Sequence, residues 1–314
     1  MSSTGFSGTI PVSAIIATRN RPTVLLRTLK TLSRQSRYPA EVVIVDASDN
    51  AHTVELYENM QDQWPWRTKY LRAVKAGAAV QRNQGIDHST FPVILFMDDD
   101  IVIHPSCIER LWQALNESDT IAGANAMITN QTYQRPGKLA DFVFAFLNGE
   151  RLTSYAGRCF GPGLTQLPGV DGSADSIEVD WLNAGCTLYR RRCLPDPVFP
   201  AIFEGASTAE DLALSLQVGR DWKLVNVPRA RIYHDSQPGE HKKSVTGLAA
   251  MELVNKHFVM RSVLGRKGIT DYFKFAVMMG FQFAGTLACK RGLSEAPARI
   301  TGFGIGIYRI LFSH

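Results

Sequence analysis

Cysteine is scarce and unpatterned in this chain. There are five in 314 residues (Cys107, Cys159, Cys186, Cys193 and Cys289), odd in number and without metal-ligand spacing. That speaks against a cysteine metal centre and against a disulfide framework, so a reducing cytosol is the expected compartment. Long apolar runs are missing too. The longest, Phe275 to Cys289, is broken by Gln282 and is too short to span a bilayer comfortably. Met1 to Gly8 is small and polar, without the basic and apolar regions of a secretory leader. No internal repeat or low-complexity tract occurs. No GxGxxG follows the first apolar run, which disfavours a nicotinamide-dependent dehydrogenase. A glycine-rich, lysine-bearing phosphate loop is absent there as well, and Gly77-Ala78-Ala79 is a poor substitute.

The bulk composition is that of a globular protein, 45% hydrophobic and 20% charged. The length suits one large α/β domain or two unequal ones. Net charge is +5 but unevenly placed: from residue 241 onward 11 lysines and arginines face 3 acids, so that tail carries +8 and residues 1–240 carry −3. A division into 1–240 and a basic extension over 241–314 is therefore expected. A basic tail beside an acidic body suggests an anionic neighbour such as a membrane surface.

Buried strands and helices alternate through the first third. Val12 to Ala17 reads as a strand running into the loop Thr18-Arg19-Asn20-Arg21-Pro22. Leu25, Leu26, Leu29 and Leu32 follow at helical spacing, with Thr23 as the residue expected to open the helix. Glu41 to Asp46 is a second strand, Val54 to Met60 a short helix, and Lys69 to Ala73 a third strand. Gly77-Ala78-Ala79 opens a helix through Gln81 to Ile86. This is the pattern of βαβ units in a doubly wound, mostly parallel sheet. Further on, Ile108 to Leu115 reads as a helix, Ile121 to Ala126 as a strand, 148–178 as a long loop, and Val179 to Tyr189 as a strand. Ala209 to Gln217 begins a helix with two acids in its first turn, as the helix dipole favours, and a strand near Lys223 to Val227 follows. From Val245 on, helical periodicity dominates, with a second run from Tyr272 to Leu287.

The centre of interest is Val93-Ile94-Leu95-Phe96-Met97-Asp98-Asp99-Asp100. Five apolar residues run into three carboxylates, which in a low-dielectric site would repel one another by on the order of several kcal/mol without a cation between them. Ligands in open α/β sheets bind outside the carboxyl ends of the strands. A divalent cation held by Asp98 or Asp100 and bridged to a phosphate would resolve that charge. Asp46, at another strand end, can accept hydrogen bonds from a nucleotide base or ribose. A carboxylate at a helix start, Glu210 or Asp211, can take a proton from a hydroxyl. His234, in Tyr233-His234-Asp235, can add a metal ligand or a phosphate contact.

Five motifs in this order carry a resemblance: Ala17-Thr18-Arg19-Asn20-Arg21-Pro22, Val43-Ile44-Val45-Asp46, Gln81-Arg82-Asn83-Gln84-Gly85-Ile86, Phe96-Met97-Asp98-Asp99-Asp100 and Ala209-Glu210-Asp211. Over roughly residues 10–235 the chain resembles a family-2 inverting glycosyltransferase of the GT-A fold. The resemblance implies an α/β, Rossmann-like, mostly parallel central sheet flanked by helices, here with a C-terminal helical extension. It implies that Thr18, Asn20 and Arg21 line the nucleotide, that Asp46 contacts its base, and that Arg82 and Asn83 meet nucleotide or diphosphate. Asp98 then faces ribose and sugar, Asp100 binds the metal, and Asp211 is the general base with Glu210 as companion. Asn183-Ala184-Gly185 closes over donor sugar and acceptor. Asp99 stays open, because adjacent strand residues point to opposite faces.

The expected cofactor is a divalent cation, Mn2+ or Mg2+, held by Asp100, Asp98 and His234. The expected partners are a nucleoside-diphosphate sugar, UDP-sugar favoured, and a glycan or lipid-linked acceptor of bacterial cell-surface polysaccharide or glycolipid assembly. Nucleic acid is not among them. For the basic C-terminal helices the expectations are contact with the inner face of the plasma membrane and contact with a second copy of the chain. Two other readings use the same residues differently. A sugar-nucleotide nucleotidyltransferase also needs an acidic metal site on an α/β sheet, and an inactive scaffold would need only the basic helical end.

Overall fold

Apolar residues on both faces of the first strands place them inside a layered α/β structure. Val12, Ala14, Ile15 and Ile16 of β1 (Thr9–Thr18) are buried, as are Val42 to Val45 of β2 (Tyr38–Asp46). The computed structural model describes residues 8–169, 174–205, 207–237 and 244–312. Between β1 and β2 lies α1 (Pro22–Leu32), which starts at Pro22 rather than at Thr23. The fixed φ of proline suits the first helical position, where its missing N–H costs nothing. Then follow α2 (His52–Met60), β3 (Arg67–Arg72), α3 (Ala78–Asp87), β4 (Val93–Asp98), β5 (Ile101–Ile103), α4 (Cys107–Leu115) and β6 (Ile121–Ile128).

The order across the large sheet is β3-β2-β1-β4-β10-β6-β11-β5, with β10 (Cys186–Arg190) and β11 (Lys223–His234) contributed from later in the chain. The first four strands run parallel, as the βαβ pattern predicts. β10 is inserted antiparallel between β4 and β6. Of the expected 179–189 strand only 186–189 are in the sheet, as part of β10. Residues 180–185 spend their polar groups elsewhere: the Asp180 carboxylate accepts from the Cys159 amide at 2.8 Å, and the Gly185 amide donates to Asn183 Oδ1 at 3.2 Å. The 148–178 segment carries the two-residue strands β7 (Cys159–Phe160), β8 (Leu164–Thr165) and β9 (Ile177–Glu178), the last paired to β11.

Alternation along the strands builds two cores. Ile16, Ile44, Leu95 and Met97 pack with Leu25 and Leu29 of α1 and Ile108 and Leu111 of α4. On the other face, Ile15, Ile94 and Phe96 pack with Ile86 of α3, Phe199, Phe203, and Leu212 and Leu214 of α6 (Glu210–Val218). Each fully buried side chain of this size stabilises the fold by about 1.5–3 kcal/mol. Gly85 lets α3 approach β1 closely: a Cβ there would sit 2.4 Å from Ile15 Cγ2.

A third cluster joins α5 (Lys138–Asn148), which the sequence reading left unassigned, to the C-terminal helices α7 (Val245–Phe258) and α8 (Ile269–Thr286) through Phe144, Leu147, Phe160, Leu253, Phe275 and Met278. α9 (Lys290–Phe312) lies against α7, with Gly302 and Gly306 at the contact; a Cβ on Gly302 would stand 2.4 Å from the Thr246 carbonyl oxygen. The expected boundary at 240/241, Lys242 and Lys243 lie outside the described residues. No described helix is long and apolar enough to cross a membrane.

Candidate active site

Strand register brings the acidic residues to one edge. In the parallel ladder Thr18 pairs with Asp46, Asp46 with Arg72, and Ala17 with Asp98. Thr18, Asp46 and Asp98 therefore stand in a row at the carboxyl end of the sheet, where α/β folds bind ligands. Antiparallel pairing adds two more groups. Cys186 lies opposite Met97, so Gly185 abuts Asp98, whose amide donates to the Gly185 carbonyl at 3.1 Å. A side chain at Gly185 would begin 3.6 Å from the Asp98 carboxylate. His234 lies opposite Ile101 in the β11–β5 pair, next to Asp100.

The three consecutive aspartates diverge. His234 Nε2 is 3.1 Å from Asp100 Oδ1 and 3.9 Å from Asp98 Oδ2. One ligand atom from each of Asp98, Asp100 and His234 can be chosen so that all lie within 4.8 Å of one another. Two carboxylate oxygens and an imidazole nitrogen form a donor set that fits a divalent cation. Asp99 turns the other way, accepting from Thr18 Oγ1 at 2.7 Å and pairing with Arg21 at 3.0 Å. Burial pushes its carboxyl up to about 7, against the pull of Arg21 and Thr18. Asp100 goes down instead: burial opposes, but His234, the Gln237 amide and Arg21 together hold it below the ordinary carboxylate range.

Asp46 is fully buried and accepts from the Ser48 amide at 2.8 Å and the Tyr70 hydroxyl at 2.8 Å. Asn20 adopts a φ of 55°, and its amide pairs with Asp49 in both directions, its Nδ2 donating at 2.8 Å and its Oδ1 accepting from the Asp49 amide at 2.9 Å. Between these loops lies a cleft of about 120 Å3 lined by Thr18, Arg19, Arg21, Gly77, Gln81 and Gly205. Gln81, part of the Gln81–Ile86 motif but expected to hold no site role, fixes the cleft floor by donating to the Thr18 and Val45 carbonyls at 3.0 and 2.7 Å. Its signal was a glutamine on the inward face of α3, one residue before Arg82.

Arg82 links the two halves of the site. Its guanidinium is 4% exposed and donates to Asp98 Oδ1 at 2.8 Å and Glu210 Oε1 at 2.9 Å. Burial works against its charge, but Asp98 and Glu210 outweigh it and raise its pKa. Glu210 and Asp211 open α6 after Ala209, which holds a φ of 66°. Burial raises both carboxyls, with Asp211 adding to the effect on Glu210; Arg82 and, for Asp211, the Leu212 amide at 2.7 Å oppose it. Asp211 stays half-buried and has no ion pair among the described residues. Asn83 points away from this cluster, its amide bonded to both the carbonyl and the N–H of Phe199 at 2.7 and 3.0 Å. Trp181 donates to the Gln166 carbonyl at 3.0 Å and packs on the second core.

The site thus gathers Asp98, Asp100 and His234 within 4.8 Å of one another, Thr18 and Asp46 beside them along the sheet edge, and Glu210 and Asp211 across Arg82. Residues 13–162 match glycosyl transferase family 2. A 122-residue stretch is 25% identical to the GalNAc(5)-diNAcBac-PP-undecaprenol beta-1,3-glucosyltransferase of Campylobacter jejuni, covering 38% of this chain and 39% of that enzyme. Among solved structures, the mannosyltransferase PcManGT of Pyrobaculum calidifontis, in complex with GDP-Man and Mn2+, aligns over 97% of this chain and 88% of its own at a TM-score of 0.58 and 13% identity. Residues 1–349 of Staphylococcus aureus TarS, in complex with UDP-GlcNAc, align over 95% and 81% at 0.53 and 20% identity. At these identities the structural likeness establishes a shared GT-A fold. Residues 13–162 thus match glycosyl transferase family 2 within a chain of GT-A fold.

Proposed function

We propose that the chain moves a sugar from a nucleoside-diphosphate sugar, UDP-sugar favoured, to an acceptor hydroxyl by a single displacement with inversion. The observation that carries this reading is the convergence of Asp98, Asp100 and His234 within 4.8 Å at the sheet edge, joined through Arg82 to the start of α6. When bound there, Mn2+ or Mg2+ supplies positive charge beside the donor diphosphate. Thr18, Asn20 and Arg21 border the nucleotide, and Asp46 stands on its base side behind Ser48 and Tyr70. Arg82 belongs to the donor side in this reading, as do Asn183 and Gly185 beside Asp98, whereas Asn83 is held by the Phe199 backbone.

Asp211 takes the proton of the acceptor hydroxyl as that oxygen bonds to the anomeric carbon. The bond from that carbon to the diphosphate oxygen breaks, and the electron pair leaves with the diphosphate. Glu210 holds Arg82 in place. The family match leaves the nucleotidyltransferase and scaffold readings without support. In calorimetry, UDP should bind in the presence of Mn2+ and not in its absence; metal-independent binding, or none, overturns the reading.

The acceptor in this reading belongs to polysaccharide or glycolipid assembly at the inner face of the plasma membrane. Supporting peripheral contact, Phe142 of α5 and Ile269 and Phe273 of α8 are 66%, 87% and 63% exposed, and Lys274 lies over the Phe146 ring at 5.8 Å. Large apolar side chains flanked by lysines suit an anionic bilayer surface. Flotation with anionic liposomes should succeed at low salt and weaken at high salt. Failure to float at low salt removes the membrane from the proposal.

A further inference from the structure

A cavity of about 440 Å3 lies among the C-terminal helices α7, α8 and α9, and none of the candidate active-site residues lines it. Its walls include Leu253, Phe275, Met279, Phe303, Ile307 and Leu311. Ligand pockets run to roughly 300–1,000 Å3 and are mostly apolar, with a few placed polar groups. Here the polar groups are His257 and Tyr272, and both are engaged at one edge. His257 Nε2 stands 3.3 Å from the Tyr272 oxygen, to which Arg261 Nη1 donates at 2.8 Å. The cavity thus offers contact area with little call for hydrogen bonds, which suits a hydrocarbon. On the α8 wall the small residues Ala276 and Gly280 are exposed, and a Cβ at Gly280 would meet nothing within 4 Å. On the α9 wall Ile307 and Leu311 are exposed, and Tyr308 and Phe312 continue the apolar strip beyond the cavity.

Charge discriminates between occupants. Only three acids occur from residue 241 onward, and each is engaged within the protein. Glu252 pairs with Lys256 at 2.6 Å, Glu295 with Arg291 and Arg299 at 2.8 and 3.0 Å, and Asp271 accepts from the Gly268 amide at 2.9 Å. Arg266, Lys267, Lys274, Lys290 and Arg309, on or just before the helices of the groove, have no ion pair among the described residues. A second copy docked face to face would set these like charges against one another, which is unfavourable. An anionic lipid surface would neutralise them.

We propose that this groove seats the hydrocarbon chain of an anionic lipid. That goes beyond adsorption on a bilayer surface, which needs no cavity. The opposite face of α7 reaches the candidate active site: Asn255 is buried and its Nδ2 donates to the Thr208 carbonyl at 2.8 Å, two residues before Glu210. As the anchor of a lipid-linked acceptor the seat rests on the glycosyl-transfer reading; as a hydrocarbon site it does not.

The test titrates the full chain by calorimetry with monomeric lysophosphatidylglycerols and, in parallel, with UDP and Mn2+. Each methylene buried should tighten binding about fourfold, so the decanoyl lipid should bind about tenfold tighter than the octanoyl one. Glycerophosphoglycerol, which has no chain, should give no heat. At low salt the decanoyl choline analogue should bind several-fold more weakly. Gly280→Leu fills the groove and should weaken decanoyl binding by about tenfold or more. Its unfolding transition should be no lower than that of the wild type, because leucine suits a helix better than glycine. Equal affinity for the two chain lengths, for the two headgroups, or for wild type and Gly280→Leu overturns the proposal. Dimerisation that is lost in Gly280→Leu, with no lipid bound, assigns the groove to a second copy and overturns it as well. Lipid binding without UDP–Mn2+ binding would end the glycosyl-transfer reading and leave the lipid seat standing; UDP–Mn2+ binding without lipid binding would do the reverse.

Discussion

Asp211→Asn is expected to lower kcat by about 10²–10⁴-fold, the range a positioned general base contributes, while UDP binding in the presence of Mn2+ stays within a few-fold of wild type. The amide keeps the size of the carboxylate, and its carbonyl oxygen can still accept from the Leu212 amide, so the start of α6 should hold its shape. What the variant loses is the ability to accept a proton. Burial raises the Asp211 carboxyl above the ordinary aspartate range. A base works only when deprotonated, so activity should rise with pH through that raised value. The same acid limb should be missing from whatever residual activity the variant retains. Wild-type turnover in Asp211→Asn would remove the base assignment.

The second large effect is expected on the donor side. Asp100→Ala removes a ligand from the Asp98–Asp100–His234 set and should weaken Mn2+-dependent UDP binding by about 100-fold or more, a loss at the upper end of what even outer-shell partners of a metal cost. Excess chelator should abolish transfer by the wild type, with recovery on adding Mn2+ or Mg2+. Asp99→Asn is the control, because Asp99 faces Thr18 and Arg21 rather than His234. It should leave the metal dependence in place. Undiminished transfer in chelator would sink the metal assignment.

Much of the site was legible because strand ends are marked in the sequence. An apolar run that stops at Asp46 or Asp98 gives both the strand and the acid at its carboxyl end, and parallel register then places them together. Two acids at the start of a periodic run similarly mark α6. Distant pairing leaves less of a local mark. His234 was expected beside Asp98 and Asp100 from its chemistry, and it meets Asp100 because β11 returns antiparallel to β5 across 134 residues, a pairing that no local pattern reports. β10 had the right residues, but its insertion between β4 and β6 shortened it, with Asp180 and Asn183 drawn into side-chain contacts. α5 carried a readable period at Ala140, Val143, Phe144 and Leu147, obscured by the polar, proline-containing stretch before it. α9 looks unsuited to a helix, with Pro297 and glycines at 302, 304 and 306. Packing overrides propensity there, since two of those glycines let α7 come close.

Arg82 couples the sheet edge to the start of α6. One buried guanidinium grips Asp98 Oδ1 and Glu210 Oε1. The other oxygen of Asp98, the one nearer His234, is left out of that grip. The side chain thus acts as a rivet between two elements 128 residues apart in sequence, and neither carboxylate can shift without loosening the partner of the other.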